Sequence, residues 1–108
     1  MPEIKNYAVR VYGNQQDNNI LAQVHLFDEH NKMVGGIDFY SNQASLPADS
    51  EKPFLKTAMN ISRLDSVVDL LRNEKPIFLE WQKHLHHVYL STSQEPVGEG
   101  EDKISIEE

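Results

Sequence analysis

The sequence predicts an α+β fold: a strongly curved, mainly antiparallel sheet of about six strands with one amphipathic helix, in the order ββββαββ. Three observations carry that expectation. Apolar and polar residues alternate with a period of two through residues 4–12, 20–27 and 33–40, as they do in strands with one face buried. Leu64, Val67, Val68 and Leu71 recur at the spacing of a helix stripe. The 108 residues, 39% hydrophobic and 25% charged, match the composition and size of one soluble globular unit with one core.

In the first strand, Tyr7, Val9 and Val11 share one face, and Ala8, Arg10 and Tyr12 share the other. Residues 13–19 are rich in Asn, Asp and Gln and read as a turn. The second strand sets Ile20, Ala22, Val24 and Leu26 against Leu21, Gln23, His25 and Phe27. A short polar loop at 28–32 returns the chain as a hairpin. The third strand places Met33, Gly35, Ile37 and Phe39 together. Its Gly35-Gly36 pair is costly in a strand, which points to a bulge, a sharp twist or a close approach of another backbone. Residues 41–53 form a polar linker, read either as a lid or as a crossing to the far sheet edge. Residues 54–61 read best as the fourth strand, with Leu55, Thr57, Met59 and Ile61 on one face, the alternative being the beginning of a helix. Ser62 is the expected helix N-cap with Asp65 as its capping-box partner, and Pro76 bars continuation. Residues 77–81 and 87–92 form the last hairpin.

The dimensions of these elements do not match. Six strands at ~4.8 Å spacing make a sheet ~29 Å wide, whereas one helix is only ~10–12 Å across. The sheet is therefore expected to curl toward a barrel or to bury its face against a second copy as a homodimer. If Val9, Val24 and Ile37 point inward, Arg10, Tyr12, Leu21, His25, Phe27, Val34, Asp38 and Tyr40 point outward.

Charge divides the chain in two. Seventeen acidic and ten basic residues give −7 overall. Residues 95–108 carry six acids against Lys103, a balance of −5, and so leave −2 for residues 1–94. The expected organisation is one domain over 1–94 and an acidic, disordered tail over 95–108. There is no cysteine, which excludes disulfides, a thiol nucleophile and zinc–thiolate sites. No apolar run approaches the ~18 residues of a membrane span, and the first residues lack a secretory pattern. Both point to a cytoplasmic protein with no membrane partner.

Candidate chemistry is sparse. His84 and His86 lie on one side of an extended segment and are the metal-ligand candidates, but His87 points away and Glu80 is the nearest acid. Asp28, Glu29, Asp38 and Glu80 fall in a turn or at solvent-facing strand positions, not in a paired acid–base arrangement. No nucleophile elbow, phosphate loop or dinucleotide fingerprint occurs, so no catalytic residue and no cofactor is indicated. Aromatic rings beside cations remain as a binding platform for a ligand or for single-stranded nucleic acid, at Arg10, Tyr12, His25, Phe27, Tyr40 and Lys56. The low isoelectric point opposes phosphate binding overall.

The order of four strands and then a helix, from Tyr7 to Asn73, resembles the repeating unit of Whirly-type single-stranded-DNA-binding transcriptional regulators. That resemblance implies curved four-stranded sheets packed with helices in oligomers, with single strands bound on the sheet surface. The family's lysine-glycine-lysine-alanine-alanine-leucine motif has no counterpart here, and residues 77–92 would be an addition. The expectations are therefore a non-enzymatic, self-associating binding module, then a single-strand binder, then a metal-dependent enzyme at His84 and His86.

Overall fold

The computed structural model describes residues 3–13, 19–93 and 97. Strands β1 (Glu3–Ile4), β2 (Asn6–Val11), β3 (Ile20–Phe27), β4 (Met33–Tyr40) and β5 (Leu55–Asn60) precede a 3-10 turn (Ile61–Arg63) and helix α1 (Leu64–Asn73). Strands β6 (Ile77–Gln82) and β7 (His87–Thr92) follow. The acidic tail lies outside the described residues, apart from Val97.

The fold is α+β and mostly antiparallel, but its strands form two open sheets in place of one curved sheet of six. One sheet has the order β2-β3-β4-β5 and the other β1-β6-β7. The split begins at Lys5, where the expected first strand divides. Glu3 and Ile4 pair with Phe78 and Ile77 in the small sheet, while Asn6 onward pairs with β3. The Lys5 N–H donates to the Phe27 carbonyl at 2.8 Å and holds that corner.

The two sheets and the helix share one buried cluster. β3 supplies Ala22, Val24 and Leu26, β4 supplies Ile37 and Phe39, and α1 supplies Val67 and Leu71. Ile77, Leu79 and Val88 come from the small sheet. The alternation of β3 is reproduced residue by residue, buried then half-buried. The cover expected from curling or from a second copy is supplied in part within the chain, by Val67 and Leu71 of α1 and by Ile77, Leu79 and Val88 of β6 and β7.

Gly35 makes this arrangement possible. A Cβ built on it would collide with Leu79 Cδ2 and lie 3.0 Å from the Leu55 carbonyl oxygen. The small sheet therefore rests where one strand residue has no side chain, and what approaches closely is the Leu79 side chain rather than another backbone. A bulge lies beside it. Leu26 pairs with Gly35 but Phe27 pairs with Met33, so Val34 is the extra residue. This corrects two face assignments. Val34 packs against the core instead of pointing outward. Met33 reaches over the other face, its terminal methyl 3.4 Å from where a Gly36 Cβ would sit.

The linker at 41–53 is explained by strand direction. β5 runs parallel to β4, from Gly35↔Leu55 to Tyr40↔Asn60, and parallel neighbours need a crossover of roughly a dozen residues. The crossover is fastened down. Asp49 accepts hydrogen bonds from the Thr57 hydroxyl at 2.6 Å and the Val88 N–H at 2.7 Å. Ser50 and Lys56 exchange two backbone bonds of 2.9 Å. Helix entry also differs from expectation. Asn60, not Ser62, is the capping side chain, accepting from the Ser62 N–H at 2.9 Å to start the 3-10 turn. No side-chain cap bond forms at Arg63, where α1 begins.

Replacing Gly35 with Ala forces the 1%-exposed Leu79 out of its place, with an expected loss of about 1–3 kcal/mol in chemical denaturation. In a Leu79→Ala background the same substitution costs less, because the side chain it strikes has been shortened. Equal costs in both backgrounds would contradict the contact.

Candidate functional site

The six sequence-predicted binding residues fall on one face of the four-stranded sheet, the face turned away from the core. Pairing sets Arg10 opposite Gln23, Gln23 opposite Asp38 and His25 opposite Gly36. Arg10 and Lys56 are exposed, Tyr12, His25 and Phe27 are half-buried, and Tyr40 is buried. What joins them is a polar ladder that sequence reasoning did not assemble. The Tyr12 hydroxyl donates to Gln23 Oε1 at 2.5 Å, and Gln23 Nε2 donates to Asp38 Oδ1 at 2.9 Å. Lys56 Nζ stands 3.6 Å from Asp38 Oδ2. The ladder draws on the β2 end, β3, β4 and β5 in turn. Its visible signal was a polar residue at mid-strand on β3 and again on β4.

Asp38 is the centre of that ladder and is only 7% exposed. Its carboxylate accepts from an amide and faces an ammonium, so the charge of Lys56 is already matched at this face. Burial first, and the Asp38 charge second, push the Tyr40 phenol above its ordinary pKa. The face is therefore aromatic, with a carboxylate at its middle rather than a positive groove.

The histidines of the β6–β7 turn diverge. The His86 ring meets Trp81 edge-on with centroids 5.7 Å apart, and His86 itself adopts a left-handed backbone with φ 55°. His87 Nδ1 turns toward Asp49 Oδ2 at 3.9 Å, and the exposed His84 donates its N–H to Gln82 Oε1 at 3.4 Å. Among the described residues no group of three or more His, Cys, Asp or Glu side chains could hold a metal ion. Asp28, in the β3–β4 turn, works as a turn residue. Its carboxylate accepts from the His30 and Lys32 N–H groups at 2.8 and 3.0 Å, and the Lys32 bond is the main cause of its lowered pKa. Glu80 is engaged by the Ser91 hydroxyl at 2.5 Å and the Tyr89 hydroxyl at 3.2 Å.

A second feature is the open edge. Among the described residues β2 ends the larger sheet and pairs on one side only, with β3. Its core-side residues outrun the cover. Tyr7 packs against the buried cluster, Val9 is 40% exposed and Val11 is 67% exposed. No helix among the described residues is long and apolar enough to cross a membrane. The chain matches no protein-family model, no curated protein and no solved structure.

The raised Tyr40 pKa fixes a pH dependence. The fold favours the neutral phenol, so this contribution to stability is complete below the ordinary tyrosine pKa of ~10 and is lost as pH rises through the raised value. Thermal unfolding followed upward from pH ~10 is expected to show a steeper loss for the wild type than for Tyr40→Phe. Identical slopes would contradict the placement of Tyr40.

Proposed function

We propose that this protein is a non-enzymatic interaction module that self-associates through the open edge of β2. The observation that carries the reading is the pair Val9 and Val11, large apolar side chains left 40% and 67% exposed on a strand that, among the described residues, pairs along one edge only. Such an edge is a template for a further strand, and the strand most available at equal concentration is the same one on a second copy.

A twofold axis normal to the sheet through Val9 gives a self-consistent pairing. Val9 then stands opposite its own counterpart, and Tyr7 stands opposite Val11. Arg10 falls opposite Ala8, so no two cations are set face to face. The core-side apolar row continues from one copy into the next. The larger sheet would become eight strands across the pair.

The non-enzymatic half of the reading is supported by what the better-enclosed carboxylates already do. Asp38 holds the outer ladder, Asp49 fastens the crossover and Glu80 takes two hydroxyls of β7. Each has a structural task that catalysis would have to break. A single-strand nucleic-acid platform on the aromatic face is the less favoured reading, because phosphates there would approach the Asp38 carboxylate.

Size-exclusion chromatography with light scattering at micromolar concentration tests the proposal. The wild type is expected at twice the chain mass. Val9→Lys, a change at an already exposed position, is expected to run as a folded single chain. A wild type that remains a single chain across the concentration range overturns the reading.

A further inference from the structure

We infer that the cleft between the end of the crossover, the start of β4 and the end of β6 binds a small aromatic monoanion of the arylcarboxylate class. This goes beyond self-association and involves no β2 residue. The cleft has a volume of about 850 Å³ and opens at the junction of the two sheets. That is within the ~300–1,000 Å³ typical of small-molecule sites.

Two aromatic side chains from separate elements line it, Phe54 just before β5 and Trp81 on β6. Both are half-buried, so each keeps ring surface available for a planar guest. Three lysines, Lys32, Lys52 and Lys83, stand in the same lining. They are nearly a third of the ten basic residues in a chain of net charge −7. Lys32 is shared with the Asp28 turn, whose carboxylate feels its charge. No ion pair holds Lys52 or Lys83 among the described residues.

The charge count selects the ligand. Two carboxylates, Glu51 and Glu80, also line the cleft, and Glu80 is turned to the β7 hydroxyls. Three cations against two anions leave a single positive charge, which matches one carboxylate better than a multiply charged phosphate. Lysine suits this as a point charge on a flexible stem at the rim of an apolar floor. The guest that satisfies both halves has a flat aromatic body against Phe54 and Trp81 and one carboxylate reaching Lys52 and Lys83.

The chain has one tryptophan, and it is in the cleft. Its emission therefore reports occupancy directly. The test titrates the protein with biphenylacetate and with its uncharged isostere biphenylacetamide, following Trp81 emission, with calorimetry as a second measurement. Saturable binding of the acid is expected, about tenfold tighter than the amide. Lys52→Gln and Lys83→Gln are each expected to weaken the acid about 2–5-fold while leaving the amide unchanged. Lys75→Gln, outside the cleft, leaves both unchanged. Equal affinity for acid and amide overturns the inference. So does an absence of both an emission change and binding heat with the wild type. The chromatographic mass of the Val9→Lys variant is independent of these results, so failure here and failure of self-association are distinguishable.

Discussion

The contact between Gly35 and Leu79 governs the rest of the molecule. A strand residue without a side chain leaves a hollow on the core face of β4, and a 1%-exposed leucine from β6 fills it. With a larger residue at position 35, Leu79 would have to leave its place in the shared cluster. Cover that a lone helix cannot give is added by folding the last hairpin back over β4 and β5. The crossover then serves as a strap between them, because Asp49 bonds β5 with one carboxylate oxygen and β7 with the other.

From that packing the surface properties follow. The hairpin and helix shield β3 and β4 on their core face but stop short of the far end of β2, which is why exposure rises from Tyr7 through Val9 to Val11. Among the described residues the other face of the larger sheet receives no second layer of strands or helix, and side chains bonded across the strands hold it. There the Tyr12–Gln23–Asp38–Lys56 ladder uses neutral and charged hydrogen bonds where an apolar layer would otherwise be required. A buried carboxylate with partners on both oxygens is stable in such a place, and it leaves the aromatic groups around it without a positive field.

Much of this was legible in the sequence, and the parts that were not have definite causes. Period-two alternation identified β3 and the hairpin to β4, because residue order alone determines which side chains share a face. The helix stripe at Leu64, Val67 and Leu71 was equally direct. The glycine pair points to a bulge, a sharp twist or a close backbone approach; a bulge lies beside it, but the close neighbour is the side chain of Leu79, more than forty positions away, which nothing local indicates. The division of residues 4–12 at Lys5 was invisible, since both halves keep the same alternation while pairing with different strands. Parallel pairing of β4 and β5 was hidden for a similar reason, and only the length of the linker hinted at it. Alternation places Arg10, Tyr12, His25, Phe27 and Tyr40 on the outer face but also Val34, which packs against the core, and it marks Asp38 as an ordinary solvent-facing acid. Its partners, Gln23 and Lys56, come from neighbouring strands whose order the sequence does not encode locally.

The central claim is that the β6–β7 hairpin covers the larger sheet at Gly35. Nuclear Overhauser spectroscopy on protein with labelled Gly and Leu methyl groups tests it most directly. Strong cross-peaks between the Gly35 α-protons and a Leu79 methyl group are expected, because Leu79 Cδ2 occupies the place a Gly35 Cβ would take. Their absence, with Leu79 methyl groups in contact with water instead, would contradict the account.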